Sequence, residues 1–528
     1  MKQQRKLFVT RVALIVALGG FLMGFDASVI SGVIGFIESE FDLNKTQLGF
    51  SVSSLALVAM FAMLGAGPIS NIIGRKKTLS IAALLYLISA VGSALAPDYI
   101  TLVAARMIGG IGVGASLIIA PMYIAEMAPP AMRGRMVSFN QLNIVVGLSA
   151  AFFTNYLIQK WSSGGAEWAH NMGIVEHPWR WMLGLEAVPA LMYFFALFLV
   201  PRSPRWLAMK NHFEEALAVM RRALPEQDCE EELAAIRESL NEEQDDSSGF
   251  RMQNVLDAVE PVFSKGLRPV LMVGIAVAVL QQLVGINAVF FYAPMIFEQS
   301  GIGEDASFAQ AILVGLINLV FTLLAMALID RVGRRPLLLV GLLGITLTMG
   351  MLAYGFGEAK YHPTAETVQT LPEEVSQEAI APLIGQVYNS DVAFKAAFAE
   401  VLEDDVARDH EGSLISAAIQ MNPVLILIGI LGFVACFAFS LGPVMWVLLS
   451  ELFPNNVRAV AISVVGFVNS LISWLVQQVF PLELAVLGSS TTFLLFGVFA
   501  AIGLLICWRI VPETKGKSLE ELEKELSV

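Results

Sequence analysis

Apolar residues gather into twelve long stretches, near 10–36, 46–70, 78–96, 101–126, 135–159, 179–200, 268–299, 307–329, 336–357, 422–450, 457–482 and 490–511. Each is close to or longer than the ~20 residues a helix needs to cross a bilayer. Short polar turns separate them, except at 201–267 and 358–421, which are long and polar. The pattern predicts an all-α membrane protein whose spans divide six and six about the 201–267 linker. Within that linker, "SPRWLAMKNHFEEALAVMRRAL" opens on Ser203 and Pro204, a helix-start signal, and continues with apolar residues at helical spacing. Short cytoplasmic helices are predicted there, and "NEEQDDSSG" (241–249) reads as a disordered tether. The first stretch follows "MKQQRK" but is too long for the core of a signal peptide, so it reads as an uncleaved span.

Composition agrees. Hydrophobic residues make up 56% of the 528 positions and charged ones only 15%, with a mean hydropathy of +0.68, where a soluble chain carries about 25% charged residues. Placing the N-terminus inside puts 26 of the 33 Lys and Arg residues on the inner side and six outside, with Arg106 left within a span. That bias is the positive-inside rule, and it predicts cytoplasmic termini. The net charge of −13 argues against nucleic acid as a partner. Cys229, Cys436 and Cys507 avoid the outer loops, so no disulfide is expected. All five His lie in loops, which excludes a histidine metal site or proton relay within the spans. No nucleophile–base pair or phosphate loop appears in the spans, so neither an enzyme nor a cofactor is expected.

The two halves repeat each other. "NIIGRKK" (71–77) matches "DRVGRRP" (330–336) at an offset of 259 residues. "EMAPPAMRGR" (126–135) matches "ELFPNNVRAV" (451–460) at an offset of 325, as Glu-x-x-Pro-x-x-x-Arg. The growing offset marks 358–421 as an extracytoplasmic insertion in the second half, expected to be dispensable for the chain's function. The implied domains are a bundle over 1–200, a helical linker over 201–267 and a second bundle over 268–528. Parallel six-span repeats of this kind build one large class of transporters.

Polar residues inside the spans carry the chemistry. Asp26 interrupts the first span, Arg106 the fourth and Glu186 the sixth. An intramembrane acid is a functional-site hypothesis by default. A buried arginine stays charged and needs a counter-ion, which Asp26 can supply. Burial favours a neutral acid and a nearby guanidinium a charged one, so such a site is poised to exchange protons. The seventh span offers Gln281, Gln282 and Asn287, amides that can hold a polar ligand by paired hydrogen bonds. At the cytoplasmic ends, Arg75 and Arg334 sit in the repeated turns, level with Glu126, Asp330 and Glu451, and the repeated motifs add Arg133 and Arg458. Such pairs can hold two bundles closed on the inner side.

The stretches "GFDASVISG" (24–32), "ARMIGGIGVG" (105–114), "PMYIAEMAPPAMRGRMVSFNQL" (121–142), "SPRWL" (203–207), "QQLVGINAVFFYAP" (281–294), "DRVGRR" (330–335), "GPVMWVLLSELFP" (442–454) and "PETKG" (512–516) resemble the sugar porter family of the major facilitator superfamily, nearest to bacterial xylose–proton symporters. The resemblance covers almost the whole chain except 358–421 and the extreme N-terminus. It implies a fold of twelve helices in two pseudo-symmetric six-helix bundles and proton-coupled symport of a monosaccharide by alternating access. It implies that the acid of "GFD" pairs with Arg106 while Glu186 occupies an acidic position of the symporters. Gln141, Asn318, Trp446 and Asn469 match the family's sugar-binding positions. The partners implied are a sugar, protons and the lipid bilayer, for a monomer in a bacterial inner membrane. The alternatives are an uncoupled sugar or polyol facilitator and an inositol–proton symporter. This chain departs from the family at Asn71, where Asp is usual, and at Arg202, where Glu is usual. Relative to the xylose symporters, Phe291 replaces a Tyr, Ser470 a Trp and Leu148 a Gln. The pocket is therefore expected to suit a hexose or bulkier polyol better than xylose.

Overall fold

The computed structural model describes residues 2–129, 132–245, 260–264, 266–365, 371–372, 375, 377–453 and 457–515. Among the described residues, eleven helices are long and apolar enough to cross a membrane, the last of them the 51-residue Val460–Ile510. At ~1.5 Å per residue that helix would be about two and a half times as long as a ~30 Å hydrocarbon core. It is broken at Gly488, whose φ of 77° no helix contains. It holds the eleventh and twelfth spans, so the helices make twelve spans, as the hydrophobic pattern predicts.

Several spans that read as continuous in sequence are interrupted. The sixth runs Pro178–Gly184 and Ala187–Ala196. Pro189 has no N–H to donate back to Leu185, and the helix gives way at Leu185 and Glu186. The seventh runs Arg268–Leu283, Ile286–Phe291 and Ala293–Glu298. Gly285 stands at φ 87° in its first break, a conformation that costs glycine little. The tenth runs Pro423–Phe439 and Leu441–Leu452, parted at Ser440. Each break lies beside residues that bear on the candidate site.

The chain forms two compact units. The first comprises Met1–Ala27, Ser54–Leu148 and Leu183–Pro261. Its core centres on Val12, Val16, Leu22, Tyr86, Tyr123 and Tyr193. Here the first span meets the fifth, Arg133–Ser163, backbone to backbone. A Cβ on Gly24 would stand 1.9 Å from the Ile144 carbonyl oxygen, and one on Gly147 2.0 Å from that of Phe21. Small residues at such crossings let spans associate where lipid gives no hydrophobic drive. The linker contributes the helices Pro204–Met209, Phe213–Ala223 and Glu226–Asp245. The last corrects the disordered reading of 241–249: positions 241–245 continue the helix, because Asn, Glu, Glu, Gln and Asp carry no breaker. Residues 246–249 lie outside the described residues.

The second unit comprises Ser28–Ser53, Ser149–Met182 and Val262–Val528. It includes the eighth span Glu304–Val332, the ninth Arg334–Gly357, and the polar stretch between the ninth and tenth. Its described residues are folded. Strands Lys360–Tyr361 and Ile419–Gln420 pair antiparallel at its base. Helices Asp391–Val401, Asp404–Asp409 and Glu411–Ala418 surround a core of Tyr361, Phe394, Phe398, Leu402, Leu414 and Ile415.

Candidate functional site

Three ionisable side chains come together in the first unit. Asp26, Arg106 and Glu186 are each about 2% exposed or less. Arg106 Nη1 lies 3.6 Å from Asp26 Oδ1. Asp26 Oδ2 and Glu186 Oε1 are buried and accept no hydrogen bond from the described residues. The fourth span, Tyr99–Met127, is glycine-rich where it passes this cluster. A Cβ at Gly109 would stand 3.0 Å from Asp26 Oδ2 and 2.5 Å from Ser89 Oγ. Glu186 sits in the break that Pro189 makes in the sixth span. A buried carboxylate oxygen without a donor is costly, and a proton added there supplies a donor of its own. The arrangement can hold and release a proton.

The amides gather in the second unit. Gln281 Nε2 donates to the Leu441 carbonyl at 3.0 Å, just beyond the break in the tenth span. Gln282 Nε2 donates to Gln281 Oε1 at 3.3 Å and to Asn469 Oδ1 at 3.2 Å. Asn469 Nδ2 donates to Gln281 Oε1 and to the Ala278 carbonyl, both at 2.8 Å. Asn287 lies two residues past Gly285 and donates to Gln282 Oε1 and Ser473 Oγ, both at 2.7 Å. Gln477 Nε2 completes the chain on Ser473 Oγ at 2.8 Å. Four of the expected sugar-binding residues therefore form one network. Asn318 is buried on the eighth span and Trp446 half-buried on the tenth, both in this unit. Gln141 lies half-buried on the fifth span, in the first unit. The sequence reading missed Ser473 and Gln477. The signal was there: Asn469, Ser473 and Gln477 recur every four residues, which places them on one face of the helix.

The charged residues at the helix ends form two similar clusters, each within one unit. In the first, Arg75 grips Glu126 with Nε at 3.1 Å from both oxygens and Nη2 at 2.9 Å from Oε1. Arg75 Nη1 donates to Asn71 Oδ1 at 2.7 Å, and the Ser203 hydroxyl donates to Glu126. Asn71 thus keeps a role where the family's Asp is absent. In the second, Arg334 Nη2 lies 2.6 Å from Glu451 Oε1 and 3.0 Å from Asp330 Oδ1. Thr514 Oγ1 donates to Glu451 Oε2 at 2.6 Å. The Ser203 of "SPRWL" and the Thr514 of "PETKG" therefore do the same work, which the sequence reading did not assign. Arg458 is different: its Nε donates to the Phe453 carbonyl at 3.0 Å, closing the end of the tenth span, and among the described residues it pairs with no acid. Arg133 begins the fifth helix, and its side chain lies outside the described residues. Arg202 approaches Glu215 at 3.8 Å with both side chains about half exposed, a pair of little energetic weight.

Comparison with known proteins agrees with this architecture. The family model described as "Sugar (and other) transporter" matches residues 12–369 and 412–526. The chain is 34% identical to the arabinose-proton symporter of Bacillus subtilis (strain 168), over 98% of this chain and 95% of that protein. It is 32% identical to the D-xylose-proton symporter of Escherichia coli (strain K12), over 99% of this chain and 96% of that protein. The solved inward-open conformation of the E. coli xylose transporter superposes with a TM-score of 0.72 at 31% identity, covering 98% of this chain and all of that one. Sequence, span count and fold converge: the chain belongs to the sugar transporter family of the major facilitator superfamily, with twelve membrane helices in two pseudo-symmetric six-helix bundles.

Proposed function

We propose that the chain is a proton-coupled monosaccharide symporter working by alternating access. The observation that carries this reading is the buried Asp26–Arg106 pair at 3.6 Å, with a second buried acid, Glu186, in the same unit. An uncoupled carrier has no need of an ionisable group at that depth, where a charge costs several kcal/mol, about 2.5–3.5 on insertion scales. In this reading Asp26 carries the coupling proton. Ionised, it pairs with Arg106; protonated, it releases that charge, and Glu186 takes up part of the change. The names of the arabinose and xylose relatives, both proton symporters, support the assignment.

The sugar site is assigned to Gln281, Gln282, Asn287, Asn318, Trp446 and Asn469, with Gln141 from the fifth span. The amide network keeps donors and acceptors in fixed positions, so that little ordering is left for the sugar to bring about. Arg75 with Glu126, and Arg334 with Asp330 and Glu451, are assigned to the inner gate, each cluster a rigid corner that moves as one piece. Bundles over 1–200 and 268–528, a cytoplasmic linker over 201–267, inner termini, a bacterial inner membrane and a monomeric state complete the proposal. The test is uptake into proteoliposomes of a panel of labelled hexoses, pentoses and inositols, with and without an inward proton gradient. Accumulation above equilibrium for at least one sugar, only with the gradient, is expected. Equal uptake in both conditions would make the protein a facilitator.

A further inference from the structure

The folded insertion holds the second unit at two kinds of place. Toward the twelfth span, Asp391 is 8% exposed and its Oδ2 accepts from the Ser489 amide at 2.9 Å and the Ser489 hydroxyl at 3.0 Å. The acid thus caps the helix that restarts after Gly488, where a negative charge is favoured. Toward the loop between the first and second spans, Glu411 Oε2 meets Lys45 Nζ at 3.0 Å, and Arg408 pairs with Asp42. The side chains of Lys45, Glu38, Glu411 and Lys395 are all at most 22% exposed.

The second set of contacts is built to come apart. Lys45 has its own acid on the loop side, Glu38 at 2.6 Å. Glu411 has its own cation on the insertion side, Lys395 at 2.7 Å. Arg408 likewise keeps Asp405 at 3.1 Å within the insertion. Breaking a buried pair is costly because it leaves a charge without compensation. Here Lys45, Glu411 and Arg408 each keep a counter-ion, and Asp42, 71% exposed, is left to solvent, so separation avoids that penalty. Burial alone would push the Glu411 carboxyl up; Lys395 and Lys45 outweigh it and hold it at about 2, so the acid is charged. At the Asp391 anchor the Ser489 hydroxyl also reaches Gln299 Oε1 at 3.1 Å, but without the acid the Ser489 amide loses a buried acceptor.

We propose that the insertion is an extracytoplasmic clasp, fixed to the twelfth span through Asp391 and fastened reversibly to the first outer loop through Glu411–Lys45 and Arg408–Asp42. The inference rests on the alternating-access reading, in which the outer ends of the first two spans separate from the later spans once per cycle. The clasp parts with each outward opening and sets how often that opening occurs. Residues 370–411 lie between the two matched segments of the family model. The insertion side of the clasp, Asp391, Arg408 and Glu411, is thus carried by residues outside the family pattern.

The test uses the full chain with Cys229, Cys436 and Cys507 replaced by Ser. Ser31 is 4% exposed beside an outer cavity of about 320 Å³ that Arg408 and Glu411 also line. A Ser31→Cys reporter is labelled from outside with an impermeant maleimide. Combining Glu411→Gln with Arg408→Gln is expected to raise the labelling rate about three- to ten-fold, a shift of population toward the open form. Conversely, Lys45→Cys with Glu411→Cys, joined by a short bifunctional thiosulfonate, is expected to lower sugar uptake at least about ten-fold, with recovery on reduction. Recovery shows that the joined protein was folded. Unchanged labelling, or uptake that persists at full rate in the cross-linked protein, would overturn the clasp. If the reporter protein with the clasp intact moves no sugar in any condition, the transport reading fails instead, while the labelling comparison still reports on the clasp.

Discussion

The two units solve the burial of polar groups in opposite ways. The first buries charge: Asp26, Arg106 and Glu186, with carboxylate oxygens that no described residue satisfies. The second buries neutral amides whose donors are largely spent on one another, from Leu441 through Gln281, Asn469, Gln282 and Asn287 to Ser473. Neutral groups can be fully paired without any change of state, so the amide network suits a rigid binding surface. A group that must gain and lose a proton cannot be fully satisfied in both forms, so the incompletely paired acids suit a switch. The helix-end clusters provide an internal control, because there the halves agree: arginine, glutamate and a hydroxyl in each.

The comparison is broken most forcefully at Asp26. Asp26→Asn is expected to abolish gradient-driven accumulation while sugar exchange across the membrane continues. Counterflow and gradient-driven uptake measured on one preparation separate the two, and wild-type accumulation in the variant would remove this acid from coupling. Next come the amides. Asn287→Ala and Gln282→Ala should each weaken sugar binding by about 1–3 kcal/mol, the cost of leaving a buried polar group unpaired. Because Asn287 Nδ2 lies on Gln282 Oε1, the double variant should lose less than the sum. Calorimetry on the three variants checks this; full additivity would mean that the two amides do not act as one network. Trp446→Ala should cost less, about 0.5–1.5 kcal/mol, through loss of an aromatic face. Its proton coupling ratio should not change, and a changed ratio would blur the division between switch and surface.

The smallest effects are expected where the halves agree. Ser203→Ala and Thr514→Ala each remove one hydroxyl from a glutamate that keeps its arginine, at about 0.5–1.5 kcal/mol. Thermal shifts of the two purified variants should match. A large difference between them would show that the inner clusters are not equivalent.

Much of this was legible in the sequence. A charge inside an apolar run is conspicuous, so Asp26, Arg106 and Glu186 stood out, and long apolar runs sufficed to count the spans. Ser473 was hidden because a serine among apolar residues scarcely disturbs the pattern, although its spacing from Asn469 and Gln477 placed it on their face. The hydroxyls of Ser203 and Thr514 lie outside the spans, where polar residues are ordinary. The breaks at Gly285 and Glu186 depend on single glycine and proline positions that a run of apolar residues masks. The clasp could not be read at all. Lys45 and Glu411 are 366 positions apart, and nothing in either neighbourhood names the other.

The two-residue ribbon at the base of the insertion has one more implication. Lys360 faces Gln420 and Tyr361 faces Ile419, so the chain enters and leaves this module at one spot, paired strands being about 5 Å apart. A segment whose two ends meet can be added to or removed from a surface turn with little strain on the helices it joins. The module is in that sense a cassette. Fusing its 360–420 segment into the matching turn of a relative that has a short one would test whether outer-side control can be transplanted between carriers, provided Ser489, Lys45, Asp42 and Glu38 are given counterparts in the host.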